Sequence, residues 1–184
     1  KINASLKPYL NEIAEKLWSQ PSHATVMVGA GFSKNASNSF PSWVQLGDAF
    51  YEKISGEKPT NKDTQYANAL KLADSVDAVF GRPALDSLLV NNIPDLTVEP
   101  SPLHEELLTF PWSDIFTTNY DTLLERAAGN VVEYRYDVVV NSHELINSTQ
   151  PRIIKLHGSF PTAKPFIITE EDYRTYPSKF APFV

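Results

Sequence analysis

Three short stretches of this chain join an apolar run to a polar or glycine-rich end. Val26-Met27-Val28 leads into Gly29-Ala30-Gly31-Phe32-Ser33. Ile115-Phe116-Thr117 leads into Thr118-Asn119-Tyr120-Asp121, and Ile153-Ile154-Lys155-Leu156 into His157-Gly158-Ser159. At Gly29 and Gly31 the missing side chains let backbone N–H groups approach a diphosphate, and Ser33 adds a hydroxyl. The pattern is neither a G-x-G-x-x-G fingerprint, because residue 34 is Lys, nor a Walker A loop, because no Gly-Lys-Ser/Thr follows. A strand-to-loop turn that needs only small residues is the alternative reading. Asn119 and Asp121 stand two residues apart, so an extended backbone turns both the same way, toward a ligand. Alternatively Asp121 caps a helix over the following Thr122-Leu123-Leu124-Glu125, and Asn119 holds a turn. His157 is the side chain most easily used as a base near neutral pH; the alternative is a partly buried histidine closing a strand.

These segments are useful together only if their strands are parallel neighbours, because the carboxyl ends of parallel strands open into one crevice. The rest of the chain fits that arrangement. Leu6, Leu10, Ile13 and Leu17 give a helical face over 5–19, with Pro8 in the first turn. Ala24 to Val28 reads as a buried strand. From 42 to 108 the character is mostly helical. Ser42 caps a helix with Trp43, Leu46, Phe50 and Ile54, and Tyr66, Leu70 and Ala73 indicate a second. Leu85, Leu88 and Leu89 indicate a third, and Ser101-Pro102 opens a helix over Leu103–Thr109. Strand character returns at Asp114–Thr117, Asn130–Tyr136, Asp137–Val140, Arg152–Leu156 and the apolar run Pro165–Ile168. Thr169-Glu170-Glu171-Asp172 is a helix start, with a hydroxyl cap and acids in the first turn. The expected fold is therefore α/β: a Rossmann-like open parallel sheet with a helical insertion, 42–108, after the first strand. An open sheet of this kind would continue past Val184, so the 1–184 domain is expected to be truncated at its C-terminus.

Composition narrows the chemistry. The 184 residues include no cysteine, which excludes disulfides, thiolate metal sites and a thiol nucleophile. No two of His23, His104, His143 and His157 are spaced as a metal pair, so no metal is expected. The net charge is −6 with no Lys/Arg cluster, which disfavours direct nucleic-acid or anionic-membrane binding. No apolar run is long enough to span a bilayer. The start, Lys1-Ile2-Asn3, has no signal-peptide pattern and no Met, and is expected to be trimmed. A reducing cytoplasm is the expected location.

Taken together, the three segments resemble the Sir2 family. Its Gly-Ala-Gly-Ile/Phe-Ser, Thr-Gln-Asn-x-Asp and His-Gly motifs are similar to Gly29–Ser33, Thr117–Asp121 and His157-Gly158 here. The Thr117–Glu125, Lys155–Ser159 and Thr169–Tyr173 runs resemble the bacterial Sir2-like domains of anti-phage defence proteins. The resemblance implies NAD+ as substrate and hydrolysis of its nicotinamide–ribose bond. It implies that Gly29, Ala30, Gly31, Phe32 and Ser33 hold the diphosphate and adjoining ribose, with Thr118 standing where sirtuins carry Gln. It implies that Asn119 positions the water or the ribose, that Asp121 lies near the carboxamide, and that His157 is the base. It further implies a bacterial, cytoplasmic effector that is oligomeric or joined to a partner subunit and switched on by a phage-derived activator. Deacylating sirtuins carry a four-cysteine zinc module that is missing here, which favours NAD+ hydrolysis over lysine deacylation or ADP-ribosyl transfer. A non-catalytic NAD+ or ADP-ribose sensor is a further reading, and a serine hydrolase built on Ser33, Asp121 and His157 is a fourth.

Overall fold

The computed structural model describes residues 3–19, 22–60 and 68–180. Tyr66, counted above toward a second helix of the insertion, lies outside them. A four-stranded, all-parallel sheet with order β1-β2-β4-β3 forms the centre. Its strands are β1 (Thr25–Val28), β2 (Asp114–Thr117), β3 (Asp137–Val139) and β4 (Arg152–Lys155). The helices in chain order are α1 (Lys7–Leu17), α2 (Ala30–Ser33), α3 (Trp43–Ser55), α4 (Ala69–Phe80), α5 (Arg82–Asn92) and α6 (Pro102–Leu108). They are followed by α7 (Leu123–Ala128), α8 (Ser142–Asn147) and α9 (Glu170–Phe180). Helices α3 to α6 all fall between β1 and β2, where the composition placed a helical insertion.

Local chemistry accounts for most of these boundaries. Ser42 Oγ accepts the Gln45 N–H while Gln45 Oε1 accepts the Ser42 N–H, a reciprocal cap that starts α3. Gly56, at φ +75°, ends that helix in the left-handed region. Thr169 and Asp172 repeat the reciprocal cap at α9: Thr169 Oγ1 accepts the Asp172 N–H, and Asp172 Oδ2 accepts the Thr169 N–H. Pro102 and Pro83 sit in first helical turns, where a missing N–H costs nothing.

Two apolar clusters fill the structure. One packs the insertion helices (Leu46, Phe50, Val76, Leu85, Leu89) against Tyr120, Leu123, Phe160, Phe166 and Ile168. The other gathers Val28, Ile115 and Ile153 from the strands with Leu108, Leu124, Ala127 and Tyr136.

Three expectations need correction. Asn130–Tyr136 is not a strand. Its aromatic residues are drawn into the second cluster as a loop, and the Tyr136 hydroxyl donates to the Phe110 carbonyl. In the run Pro165–Ile168, Phe166, Ile167 and Ile168 are buried but the segment is unladdered. His157 O accepts the Ile167 N–H, Arg82 donates to Phe166 O, and Asp172 accepts the Ile168 N–H, so these partners replace a neighbouring strand. β1, expected to be a buried strand, lies at the sheet edge and is covered only in part: Val28 is buried while Thr25 and Met27 are exposed. The α1 helix forms as its spacing predicts, and of that apolar face Leu17 is buried while Leu6, Leu10 and Ile13 are exposed.

Gly158 joins β4 to the following loop at φ +88°. A Cβ there would lie 2.6 Å from Ala163 O and 2.9 Å from Pro165 O, both backbone atoms. Gly158→Ala should therefore lower the unfolding free energy by about 1–3 kcal/mol, from left-handed strain plus the clash. Urea unfolding tests this, and a midpoint equal to wild type would refute it.

Candidate functional site

The parallel register brings the three polar strand ends to one level. Val28 lies opposite Thr117, and Thr117 opposite Lys155, so the next residues in each strand emerge side by side. A cavity of about 420 Å³ opens there, a size typical of small-molecule sites. One wall consists of Gly29, Ala30, Gly31 and Ser33, and another of Thr118, Asn119, Tyr120, Asp121 and His157. The insertion supplies an apolar wall that includes Trp43, Leu46 and Ile93.

Each group is held by identifiable contacts. Gly29 precedes α2 at φ −113°, ψ 176°, a conformation open to any residue, so the turn itself does not demand glycine. A Cβ on Gly29 or Gly31 would meet no protein atom within 4 Å. The glycines thus keep open space beside the main chain, as a close-lying ligand requires. Ser33 is buried and donates from Oγ to Asp121 Oδ2 at 2.7 Å, while Asn119 Nδ2 donates to Ser33 Oγ at 3.0 Å. The Asn119 N–H is taken by Thr117 Oγ1 at 3.0 Å. Asp121 Oδ1 accepts the Leu123 N–H at 3.3 Å, so Asp121 both caps α7 and faces Ser33. Asp121 thus makes the helix-start contact expected of it and also lines the cavity.

Asn119 Oδ1 is buried with no hydrogen-bond partner among the described residues. An unmade bond at a buried acceptor costs about 1–3 kcal/mol, and a donor from a ligand in the cavity would remove that cost.

His157 is 6% exposed. The rings of Tyr173 and Tyr176, both on α9, stand edge-on to it at centroid distances of 5.4 and 5.3 Å. Burial lowers its pKa to about 4, against a smaller opposing influence from Asp172, so the imidazole is neutral at physiological pH. Burial also raises the Asp121 pKa, with Lys155 and the Ser33 hydroxyl pulling it back.

The cavity thus brings together Gly29, Ala30, Gly31, Ser33, Thr118, Asn119, Asp121 and His157, but not Phe32. Phe32 packs against His104 of α6 instead, with ring centroids 4.7 Å apart, and joins the second apolar cluster. Ser33, Asp121 and His157 do not assemble as a hydrolase triad, because the Ser33 hydroxyl donates its hydrogen bond to Asp121 and, among the described residues, Ser33 makes no hydrogen bond to His157. Sequence reasoning missed Tyr120, Tyr173 and Tyr176 around His157; their aromatic type was the only available signal. Among the described residues, no group of three or more His, Asp or Glu could hold a metal ion, and no helix is long and apolar enough to cross a membrane.

Part of the chain is similar to Sir2-like proteins. Residues 113–183 match the family model described as a SIR2-like domain, a span containing the second and third polar strand ends but not the Gly29–Ser33 turn. The chain is 26% identical to defense-associated sirtuin 2 of Bacillus subtilis over 93% of its own length and 17% of that protein. It is 29% identical to the NAD(+) hydrolase ThsA of Acinetobacter baumannii (strain 532279) over 97% of its length and 36% of that protein. Against the NAD(+) hydrolase ThsA of Enterococcus faecium the identity is 25%, over 84% of this chain and 31% of that protein. The chain therefore spans little more than a third, at most, of these relatives.

The His157 environment carries a pH signature. The unfolded chain takes up this proton near pH 6.5, whereas the folded chain resists it until about pH 4. Stability linked to His157 is thus whole above pH 6.5 and is lost as pH falls from 6.5 toward 4, by on the order of 3 kcal/mol. Urea unfolding at pH 7 and pH 4.5 should show a larger loss for wild type than for His157→Leu. Equal losses would contradict the assignment.

Proposed function

We propose that this chain is an NAD+ hydrolase module that cleaves the nicotinamide–ribose bond and acts as the effector part of a bacterial anti-phage protein. The observation that carries this reading is that one cavity is lined by the open Gly29–Gly31 turn, by the neutral His157 and by Asn119, whose Oδ1 has no partner among the described residues. The relatives named as NAD(+) hydrolases support the choice of substrate.

In this reading the first-turn backbone N–H groups at Ala30 and Gly31 lie beside the diphosphate, in the space the missing side chains leave. Asn119, its amide fixed by the bond from Nδ2 to Ser33, presents Oδ1 to a hydroxyl of the nicotinamide ribose or to the attacking water. His157 takes the proton from that water as its oxygen bonds to the ribose C1′. The C1′–N bond breaks, its electron pair returns to the ring, and neutral nicotinamide leaves with ADP-ribose as co-product. The transition state carries positive charge on the ribose, which fixed dipoles and a carboxylate at Asp121 stabilise. The apolar wall of Phe40, Trp43, Leu46 and Ile93 limits water to the reacting molecule. An oligomer or partner subunit that switches the module on, and a cytoplasmic location, belong to the same proposal.

Fluorescence release from an etheno-adenine NAD+ analogue, measured on the longest polypeptide carrying this chain, tests the reading. Wild type should turn over without any acyl peptide. His157→Ala and Asn119→Ala should each reduce the rate by about 10²-fold or more while the fold is kept. Activity that requires an acyl-lysine peptide, or survives both substitutions, would rule the proposal out.

A further inference from the structure

Lys155 and Glu125 form a buried ion pair that is not part of the cavity lining. Lys155 closes β4 and is 1% exposed. Its Nζ lies 2.8 Å from Glu125 Oε1 and also donates to the main-chain oxygen of Asp121. Ser159 Oγ donates to the same Glu125 oxygen at 3.1 Å, while Glu125 Oε2 is buried without a partner. Removing two charges from water costs about as much as their attraction returns, and a packed apolar pair is often as stable. Fold stability is therefore a weak reason for this pair.

The second hydrogen bond of Lys155 supplies a better one. Asp121 O belongs to the residue whose carboxylate holds Ser33, and Ser33 in turn holds the Asn119 amide. On the other side, Thr117, opposite Lys155 in the sheet, accepts the Asn119 N–H. The Asn119–Asp121 turn is thus fastened at one end to β2 and at the other to the ammonium of β4. Two charged groups bear on the Asp121 carboxylate: Lys155, which favours its ionised form, and Asp95, from the 3-10 turn Asp95–Thr97, which opposes it. Ser33 of α2 and the Leu123 N–H of α7 donate to it.

We propose that Lys155, set in place by Glu125, is a positioning residue that holds the Asn119–Asp121 turn and keeps a positive charge beside the Asp121 carboxylate. The kinetic part of this inference rests on the NAD+ hydrolase reading; the structural part does not.

Hydrogen exchange over residues 117–124 and the pH dependence of kcat/KM, both on the full-length protein, test it. Lys155→Met should speed exchange in that segment and move the acid limb of the profile to higher pH, because Asp121 loses its cation. Glu125→Gln leaves the bond from Lys155 to Asp121 O in place. It should preserve exchange and move the acid limb to lower pH, because the Lys155 charge that favours ionised Asp121 is no longer offset by the Glu125 carboxylate. A general structural defect would not shift the two variants in opposite directions. Since Lys155→Met leaves the largely buried Glu125 without its cation, Lys155→Met/Glu125→Leu serves as the folded control. It should keep the wild-type melting temperature yet lose kcat by about tenfold or more, with a smaller change in KM. Wild-type exchange over 117–124 in that folded double variant, or acid limbs that move together or not at all, would overturn the inference. If the full-length protein hydrolyses no NAD+, the function reading fails alone. The exchange comparison then still decides: faster exchange supports the positioning role and unchanged exchange overturns it.

Discussion

The parallel register of β1, β2 and β4 is the constraint on which the rest depends. Because Val28, Thr117 and Lys155 stand opposite one another, the residues that follow them emerge at one edge of the sheet. A shift of one residue would turn each side chain to the other face and scatter the site. Parallel strands need long crossovers, and here the crossover from β1 to β2 is the insertion that forms the apolar wall of the cavity. The same connection that makes the sheet parallel also closes the site on one side.

Within that frame, burial governs the chemistry. Ser33, Asn119, Asp121, Lys155 and His157 are all buried polar groups, and each such group is costly unless it is paired. Most are paired, through the chain from Asn119 to Ser33 to Asp121 and from Lys155 to Glu125. Within this network Asn119 Oδ1 and Glu125 Oε2 have no partner among the described residues, and of the two residues Asn119 lines the cavity. Burial likewise keeps His157 neutral. A second set of ionic contacts ties the site to the insertion. Arg82 of α5 pairs with Asp172 at 3.0 Å, and Asp172 caps α9, which carries the two tyrosines beside His157.

Much of this was legible in the residues. Short apolar runs ending in Gly29, Asn119 and His157 marked the strand ends, since a buried parallel strand has that composition whatever its surroundings. The reciprocal caps at Ser42 and Thr169 were legible for the same reason: they join residues three apart and need no tertiary partner. Asn130–Tyr136 misled because β-branched and aromatic residues suit a strand and a core-packed loop equally well. The α1 helix forms as its spacing predicts, but periodicity specifies which residues share a side, not whether anything covers that side.

The sequence by itself determined which groups are present and which end of each strand bears them, because chemistry and local periodicity are properties of neighbouring residues. Only the tertiary structure decided how those groups are used. It turned Phe32 toward His104 and away from the cavity, aimed the Ser33 hydroxyl at Asp121, and set Lys155 against Glu125 and the Asp121 carbonyl. It also desolvated His157 between tyrosines from a later helix. These outcomes depend on contacts between residues far apart in the chain: Ser33 and Asp121 are 88 positions apart. Side-chain direction and local dielectric are set by such contacts, and no spacing along the chain encodes them.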